Sequence, residues 1–464
     1  MSNSKSTNAA ASAVKENPSP WAKLIEFASV KLMGSIGGQA LVSGFHFALN
    51  LFLLRLVTPY EYGVFAFAFV IAMFASAVNN ALLATPLTVY TPVIKHEHER
   101  VEQEAMLGTL NLALFVLILL AGFIYVASVE ASTTLGLGVT VFVAAYSARH
   151  YSRSVGYARL QPLVTASGDA SYVFSGVIII AAVFFTLDDF SIGHVLMALA
   201  AANLFAMLVE RLRLNGVKHR RWSFAHVRSY AQYWSQSRWA LIGSLTTLFM
   251  AQAHSVIITT TNGPNAFAPL AAGFVLFGPV RVALLTWQNM VKPELAIALS
   301  ESNDQFVKSQ IRTTTVITVI AVSIMSLGLW AAWPWIHDFL YSKQYADQPM
   351  AFIVAIWCMI TVFATSYNAP SAGLQAMREF KVLAMSSIYG ALISGVLVSF
   401  LLYLYKPEIT LIGVLIAEAF MALYLSRVLF QRLKVRSDNV SPDGTIESAG
   451  APSLDAQPIN KSAS

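Results

Sequence analysis

Twelve long apolar stretches alternate with short polar gaps along this chain, and this alternation constrains the fold more than any other feature. A helix needs about 20 apolar residues to cross the roughly 30 Å hydrocarbon core of a bilayer. With 56% apolar and 12% charged residues, most of the chain has little that is polar to show water. The sequence therefore predicts an all-α polytopic membrane protein with twelve transmembrane helices. The predicted spans are residues 32–56, 64–89, 106–126, 135–151, 172–187, 192–209, 239–261, 267–291, 313–333, 350–369, 382–405 and 409–429.

The basic residues predict how these spans are oriented. Nearly all of the 30 Lys and Arg residues belong to the termini and the even-numbered gaps. Arg55, Lys343 and Lys406 belong to the odd-numbered gaps, and Arg281 lies within a span. The positive-inside rule then predicts a bacterial inner-membrane protein with both termini in the cytoplasm. The scattered basic residues form no dense run of the kind that binds nucleic acid, and contact with membrane lipid headgroups explains them better.

The longest internal polar gap divides the spans six and six, which predicts two lobes related as a parallel repeat. In each half, the first span ends in an outer turn with a proline, Pro59 or Pro264, and the second span ends near another, Pro92 or Pro293. The predicted units are a cytoplasmic N-terminal segment with an interfacial amphipathic helix (1–31), an N lobe (32–209), a basic linker (210–238), a C lobe (239–429) and a disordered cytoplasmic tail (430–464).

No sequence pattern indicates covalent chemistry, so we do not expect an enzyme, a cofactor or a metal site. The single cysteine, Cys358, lies within an apolar span and is interpreted as a small buried hydrophobe. The second gap contains His96 and His98 among several glutamates but lacks a helical His-Glu-x-x-His, so it is interpreted as a solvated charge run. The chain has no P-loop, and direct use of ATP is not expected.

Two twelve-span architectures fit the repeat: the major facilitator fold and the fold of multidrug and oligosaccharide-lipid exporters. The second gap, YTPVIKHEHERVEQEA, lacks the Gly-Asp-Arg/Lys signature of the major facilitators. Three stretches instead resemble the polysaccharide transport family of the multidrug/oligosaccharidyl-lipid/polysaccharide (MOP) exporter superfamily. They are GSIGGQALVSGFHFALNLFLLRLVTPYEYGVFAFAFVIA, with its outer turn at Pro59, Glu61, Tyr62 and Gly63, FLYSKQYADQPMAFIVAIW, and GLQAMREFKVLA.

The resemblance implies a MATE-like fold and a flippase function. Such flippases are expected to move an undecaprenyl-diphosphate-linked oligosaccharide from the cytoplasmic to the periplasmic leaflet, for exopolysaccharide or O-antigen assembly. The expected partners are this lipid-linked oligosaccharide, membrane lipids, and the polymerase and glycosyltransferases of the same pathway. Two alternatives stay open: an ion-coupled drug or metabolite antiporter of the same superfamily, and a non-transporting scaffold for glycosyltransferases. The antiporter is disfavoured because the predicted N-lobe spans contain no carboxylate away from their edges.

Arg281 is the leading candidate for substrate binding. A guanidinium inside a membrane costs at least about 2.5 kcal/mol on insertion scales and needs a partner or a wet cavity. Gln288 and Lys292 follow on the same helical face, and the three together suit a lipid diphosphate. Glu418, near the middle of the last span, is an alternative salt-bridge partner for Arg281. Pairing with Glu418 and contact with substrate both remain open.

A second candidate stripe lies on the first span, where Gln39, Ser43, His46 and Asn50 recur at helical spacing. Interhelical packing is favoured for Gln39, whereas His46 and Asn50 are predicted to line the cavity and bind sugar hydroxyls. A lone intramembrane histidine is more often hydrogen-bonded packing than a proton relay. His254 is nevertheless, with Glu418, a candidate for ion coupling.

Overall fold

The computed structural model describes residues 20–91, 94, 96–128, 133–214, 230–280, 291, 295, 298–299, 301, 303–377 and 379–438, and the side chains of the first helix from residue 37. All regular structure in these ranges is helical, which confirms the predicted all-α class. The helices are α1 (Pro20–Leu56), α2 (Pro59–Asn79), α3 (Thr85–Tyr90), α4 (Glu97–Ser128), α5 (Thr133–Ala158), α6 (Pro162–Thr186), α7 (Ile192–Arg213), α8 (Ala231–Asn262), α9 (Pro264–Val275), α10 (Asp304–Ala331), α11 (Trp333–Ile336), α12 (Met350–Ser366), α13 (Asn368–Ala376), α14 (Phe380–Leu404) and α15 (Leu411–Asp438).

Short irregular turns of helix join some of these elements. Asn80–Ala84 and His337–Tyr341 are π-helical, and Pro407–Thr410 is a 3-10 turn. At the start of α2, the Thr58 hydroxyl accepts a hydrogen bond from the Glu61 amide at 3.3 Å, and the Glu61 carboxylate accepts one from the Thr58 amide at 3.2 Å. This capping box satisfies amides that would otherwise be orphaned at the helix end. It explains locally why the Pro59-containing turn ends one span and begins the next.

Within the described ranges, ten helices are long and apolar enough to cross a membrane, and the chain is a multi-pass membrane protein. Two of the twelve predicted spans are not among these ten, so the count of twelve is not fully confirmed. The fourth predicted span corresponds to α5, whose 26 residues would cover roughly 39 Å but whose second half is polar. The eighth corresponds to α9, whose continuation from residue 281 lies outside the described residues.

Helices α5 and α6 are longer than the fourth and fifth predicted spans. Helices α5 and α6 extend well beyond residues 151 and 172 towards the turn that joins them, and they carry Arg149, Arg153 and Asp169. Asp169 is 1% exposed and lies inside the candidate span Pro162–Thr186. The expectation of an N lobe without a carboxylate away from its span edges is therefore wrong. A hydropathy scale counts each charged residue as unfavourable by itself, whereas in the fold Arg149 and Arg153 pair with Asp169.

By their order in the chain we call α1–α7 the N lobe and α8–α15 the C lobe; α2 packs on α5 of the N lobe and also on α8 and α9 of the C lobe. In the N lobe, α5 and α6 pack on α7, α1 packs on α6, and α4 packs on α5. In the C lobe, α14 packs on α8 and α15, and α12 packs on α10 and α15. The largest buried apolar cluster includes side chains from both lobes, such as Phe65 and Phe267. Of the two smaller clusters, one has its buried residues in the C lobe and the other in the N lobe.

We call the side with the span ends that bear Pro59 and Pro264 the outer side, and the opposite side, towards the basic loops, the inner side. The lobes are in contact on both sides: on the inner side the Tyr230 hydroxyl donates to the Leu82 carbonyl at 2.7 Å, and the Tyr90 and Tyr233 rings lie 5.2 Å apart. Gly63 of α2 lies directly against the backbone of Pro264, where a Cβ would overlap the Pro264 carbonyl. Phe67 and Phe267 contact each other with ring centroids 6.4 Å apart. The glycine of the outer-turn motif is thus required by a close approach between lobes.

A second glycine contact joins α5 to α7. A Cβ at Gly138 would lie 2.5 Å from the Gly193 carbonyl oxygen and 2.9 Å from its Cα. We expect Gly138→Val to destabilise the protein by about 1–3 kcal/mol, because the added atoms meet backbone that cannot move aside. Thermal unfolding in detergent measures this effect. Gly328→Val is the matched control, since nothing lies within 4 Å of a Cβ there, and an equal loss in both variants would contradict the contact.

Candidate functional site

The inner half of α5 is rich in polar side chains. At 3.6 residues per turn, Tyr146, His150, Arg153 and Tyr157 share one face of this helix. All four are partly or largely exposed, and Tyr157 reaches 37%. The adjoining face, with Arg149, is buried against α6 and α7. Arg149 and Arg153 therefore belong to one charged cluster but differ in access.

Asp169 of α6 is shared by two arginines in the buried part of this cluster. Its Oδ1 lies 2.6 Å from Arg149 Nη2 and 3.1 Å from Arg153 Nε. The Arg149 guanidinium also lies 4.4 Å from the centre of the Tyr172 ring, and its Nη1 donates to Asn203 Oδ1 at 3.4 Å. Because buried charges are costly without partners, this arrangement explains how two arginines are accommodated beside apolar helices.

Glu210, near the end of α7, is the second carboxylate of the cluster. Its Oε2 accepts a short hydrogen bond of 2.5 Å from the Ser152 hydroxyl, and it lies within electrostatic range of Arg149 and Arg153. Gly168 leaves room for it, since a Cβ there would overlap the Glu210 side chain. Oε1 is buried and has no hydrogen-bond partner among the described residues. Two arginines and two carboxylates thus make a cluster of nearly balanced charge.

Arg153 joins this cluster to a more accessible surface. Its Nη2 donates to Gln39 Oε1 of α1 at 2.8 Å, and its side chain is 23% exposed. His150 Nε2 lies 3.5 Å from Oδ1 of Asn80, in the π-helical turn after α2. The turn also contacts α8 of the C lobe. We call this surface the inner polar face; it consists of Gln39, Asn80, Tyr146, His150, Arg153 and Tyr157.

The inner polar face is suited to a wet space and not to acyl chains. It presents a guanidinium, two amides, an imidazole and two phenol hydroxyls on helices that belong to a membrane protein. It lies between α1 and α2, and Asn80 brings it to the side that faces α8. Chemically, the guanidinium, whose Nε and Nη2 already lie against Asp169 and Gln39, can offer Nη1 to a phosphate oxygen. The other groups can exchange hydrogen bonds with hydroxyls.

The structure distributes the predicted residues of α1 among different contacts. Gln39 takes part in the inner polar face through Arg153. His46 Nε2 lies 3.3 Å from the Tyr172 hydroxyl, and its Nδ1 is buried without a hydrogen-bond partner in the described part of the chain. Asn50 Oδ1 accepts from the Tyr62 hydroxyl at 3.1 Å. The cavity roles of His46 and Asn50 stay predictions, and these contacts lie within the N lobe.

The C-lobe candidates are only partly described. Arg281, Gln288 and Lys292 lie outside the described residues, so their predicted roles and the proposed pair with Glu418 stay predictions. Glu418 of α15 is 5% exposed, and Tyr367 provides a hydrogen bond to it. Its Oε2 has no hydrogen-bond partner within the ranges that the structure describes.

His254 of α8, the other candidate for ion coupling, is buried among C-lobe side chains. It is 3% exposed, its Nε2 lies 3.1 Å from the Ser255 hydroxyl, and its ring contacts Trp357 at a centroid distance of 5.3 Å. These contacts fit hydrogen-bonded packing, and a role in ion coupling stays a prediction.

Four charged residues of the cluster were not predicted as site residues, because hydropathy placed most of them in polar gaps: Arg149, Arg153, Asp169 and Glu210. A signal was present in the sequence. Tyr146, His150, Arg153 and Tyr157 recur at i, i+4, i+7 and i+11, as expected for one face of a helix. The same helical spacing indicates the stripe on α1, but on α5 hydropathy ended the span at residue 151 and hid the pattern.

No family model and no curated protein matches this sequence. Solved structures do match it over most of its length. An inward-facing multidrug-resistance MATE transporter of the MOP superfamily superposes with a TM-score of 0.62 at 14% identity, covering 86% of this chain and 96% of that one. The fold is that of the MATE transporters. At this identity the likeness concerns the fold alone, and the polysaccharide transport subfamily stays a prediction.

Other MATE structures superpose with lower scores. An outward-facing MATE transporter of the same superfamily has a TM-score of 0.56 at 14% identity, covering 88% of this chain and 96% of that one. The MATE multidrug transporter DinF-BH has a TM-score of 0.54 at 16% identity, covering 89% of this chain and 96% of that one. The predicted MATE-like fold is therefore confirmed.

Proposed function

We propose that this protein is a transporter that works by alternating access and flips an undecaprenyl-diphosphate-linked oligosaccharide from the cytoplasmic to the periplasmic leaflet. The inner polar face carries this proposal. Arg153 is a cation whose side chain is 23% exposed, which suits a diphosphate, and tyrosine, histidine and amide side chains surround it, which suit sugar hydroxyls. The proposed setting is the bacterial inner membrane, with both termini and the basic loops in the cytoplasm.

The contact between the lobes supports entry of substrate from the inner side. Gly63 and Pro264 bring the lobes into close contact at the outer side, while the inner polar face lies towards the basic loops. A substrate that binds this face would reach it from the cytoplasmic leaflet and leave after the outer contact opens. For transport, the substrate must interact differently with the two states. The predicted substrate contacts of Arg281, Gln288 and Lys292 belong to this proposal from the sequence alone, since these residues lie outside the described ranges.

A drug or metabolite antiporter of the same superfamily is the second candidate, and one observation favours it. Asp169 and Glu210 are buried carboxylates of the N lobe, the kind of group that the predicted spans lacked and ion coupling needs. Either carboxylate could bind a cation or a proton in place of its interaction with the neighbouring arginines. In a flippase, the same cluster would hold Arg153 in place for the substrate. The scaffold alternative has no feature of the site in its favour.

The first test of the flippase proposal is the variant Arg153→Gln. We expect export of polymer to fall roughly tenfold or more, because a neutral amide loses the charge-assisted bonds to phosphate. Surface polysaccharide is quantified in a deletion strain complemented with each variant, and lipid-linked intermediates are extracted from the same cells. The lipid-linked intermediates should accumulate when flipping is blocked.

Arg312→Gln is the matched control, because Arg312 is an exposed arginine on α10. It should export normally, and both proteins should reach the membrane at equal levels. Full polymer export by Arg153→Gln would remove this residue from the mechanism. Normal surface glycan in the deletion strain, together with raised sensitivity to cationic dyes, would refute the flippase and favour the antiporter.

A further inference from the structure

A cavity of about 440 Å³ lies on the far side of α5 from the inner polar face. Helices α4 and α7 both pack on α5, and the cavity is the groove between them, with α5 as its floor. Its walls include Gly108 and Phe115 of α4 and Leu204 and Leu208 of α7. Both walls belong to candidate membrane spans, and Leu204 and Leu208 are about half exposed. The groove is therefore open at the surface of these two spans, and its lining is mostly apolar away from its inner end.

The inner end of this groove is charged. Arg159 of α5 and Glu104 of α4 form a paired set of hydrogen bonds there, with Nε–Oε1 and Nη2–Oε2 distances of 2.9 and 2.6 Å. Glu210 also borders the groove, but Ser152 and the arginine cluster already compensate it. Arg211, by contrast, is exposed and has no hydrogen bond or ion pair with any described residue. The uncompensated charge at the mouth is thus positive.

We propose that this groove binds one anionic phospholipid of the inner leaflet, with an acyl chain between α4 and α7 and its phosphate on Arg211. An apolar slot beside a cation, at the level where a span ends, matches the two parts of such a lipid. A zwitterionic lipid fits less well, because its ammonium would need a carboxylate that is not already compensated. A cavity of this volume is within the usual range of small-ligand sites, about 300–1,000 Å³.

The lipid would also touch the machinery of the proposed transport site. Glu210 and Ser152 form part of the groove wall, and both belong to the cluster that holds Arg149 and Arg153. Occupancy of the groove would favour one arrangement of α7 against α5 and so influence the inner polar face. Binding of the lipid does not depend on which substrate the protein carries, so the site can be tested without a transport assay.

The test is native mass spectrometry of the purified full-length protein, titrated with phosphatidylglycerol or with phosphatidylethanolamine. We expect one phosphatidylglycerol to bind in preference, and Arg211→Gln to weaken it roughly tenfold. Gly108→Leu should weaken it as well, because the side chain would enter the groove; a Cβ there has only the Tyr151 hydroxyl near it, at 3.8 Å. Arg213→Gln is the control, since this exposed arginine lies in the same last turn but not on the groove.

Three outcomes would overturn the proposal. The first is equal binding of both phospholipids, and the second is unchanged binding of phosphatidylglycerol in both Arg211→Gln and Gly108→Leu. The third is displacement of the bound lipid by undecaprenyl phosphate at equal concentration, which would assign the groove to the tail of the substrate. Thermal unfolding of each variant checks that weaker binding does not come from loss of folding.

Discussion

Asp169→Asn is expected to lower the free energy of unfolding by about 3–5 kcal/mol, since breaking a buried ion pair from one side leaves the other charge uncompensated. Here one carboxylate serves two guanidiniums, at 2.6 Å from Arg149 and 3.1 Å from Arg153. The asparagine keeps the shape but removes the charge, so the buried Arg149 loses its ion pair, and Arg153, whose side chain is 23% exposed, loses its own. Denaturation of the purified protein in detergent measures the loss.

Two further variants separate the ion pairs from general damage. Asp189→Asn changes an exposed acid in the turn after α6 and should stay within about 0.5 kcal/mol of the parent. The double variant Asp169→Asn with Arg149→Gln should be more stable than the sum of the single losses, because it removes a cation together with its partner. A free energy of unfolding for Asp169→Asn equal to that of the parent protein would contradict the ion pairs of Asp169 with the two arginines.

Gly63→Val is expected to shift the protein away from the state in which the outer side is closed. The added Cβ would overlap the Pro264 carbonyl, and overpacking of this kind costs about 1–3 kcal/mol. At a factor of ten per 1.4 kcal/mol, the equilibrium between states would change roughly 5- to 150-fold. Spin labels on the exposed residues Tyr60 and Asn265, one in each lobe, report the opening as a longer distance.

The same shift should reduce transport whatever the substrate is. An alternating-access cycle needs both states. A variant that cannot close the outer side returns slowly to the state that is open on the inner side. Gly328→Val again serves as control, because its Cβ would have nothing within 4 Å and it lies away from Pro264. An unchanged distance distribution in Gly63→Val would show that this contact does not control closure.

Apolar patterning predicted the class of fold correctly, because insertion of a helix into a bilayer depends mainly on its own residues. Ten of the predicted spans are helices of sufficient length and apolar content. The residues of the outer-turn motif were also recognisable, with Pro59 starting α2 and Glu61 capping it. The role of Gly63 was not recognisable from the sequence, because its contact is with Pro264, about two hundred residues away in the chain.

The sequence by itself determined that this chain is a bundle of membrane helices, since local apolarity and helix caps are properties of short segments. Only the tertiary structure decided that Arg149, Arg153, Asp169 and Glu210 form one cluster, and that Arg153 leads from it to the inner polar face. These residues lie on three helices, and each one alone disfavours insertion. Their cost is offset only by mutual pairing, and pairing across helices depends on packing that no single segment encodes.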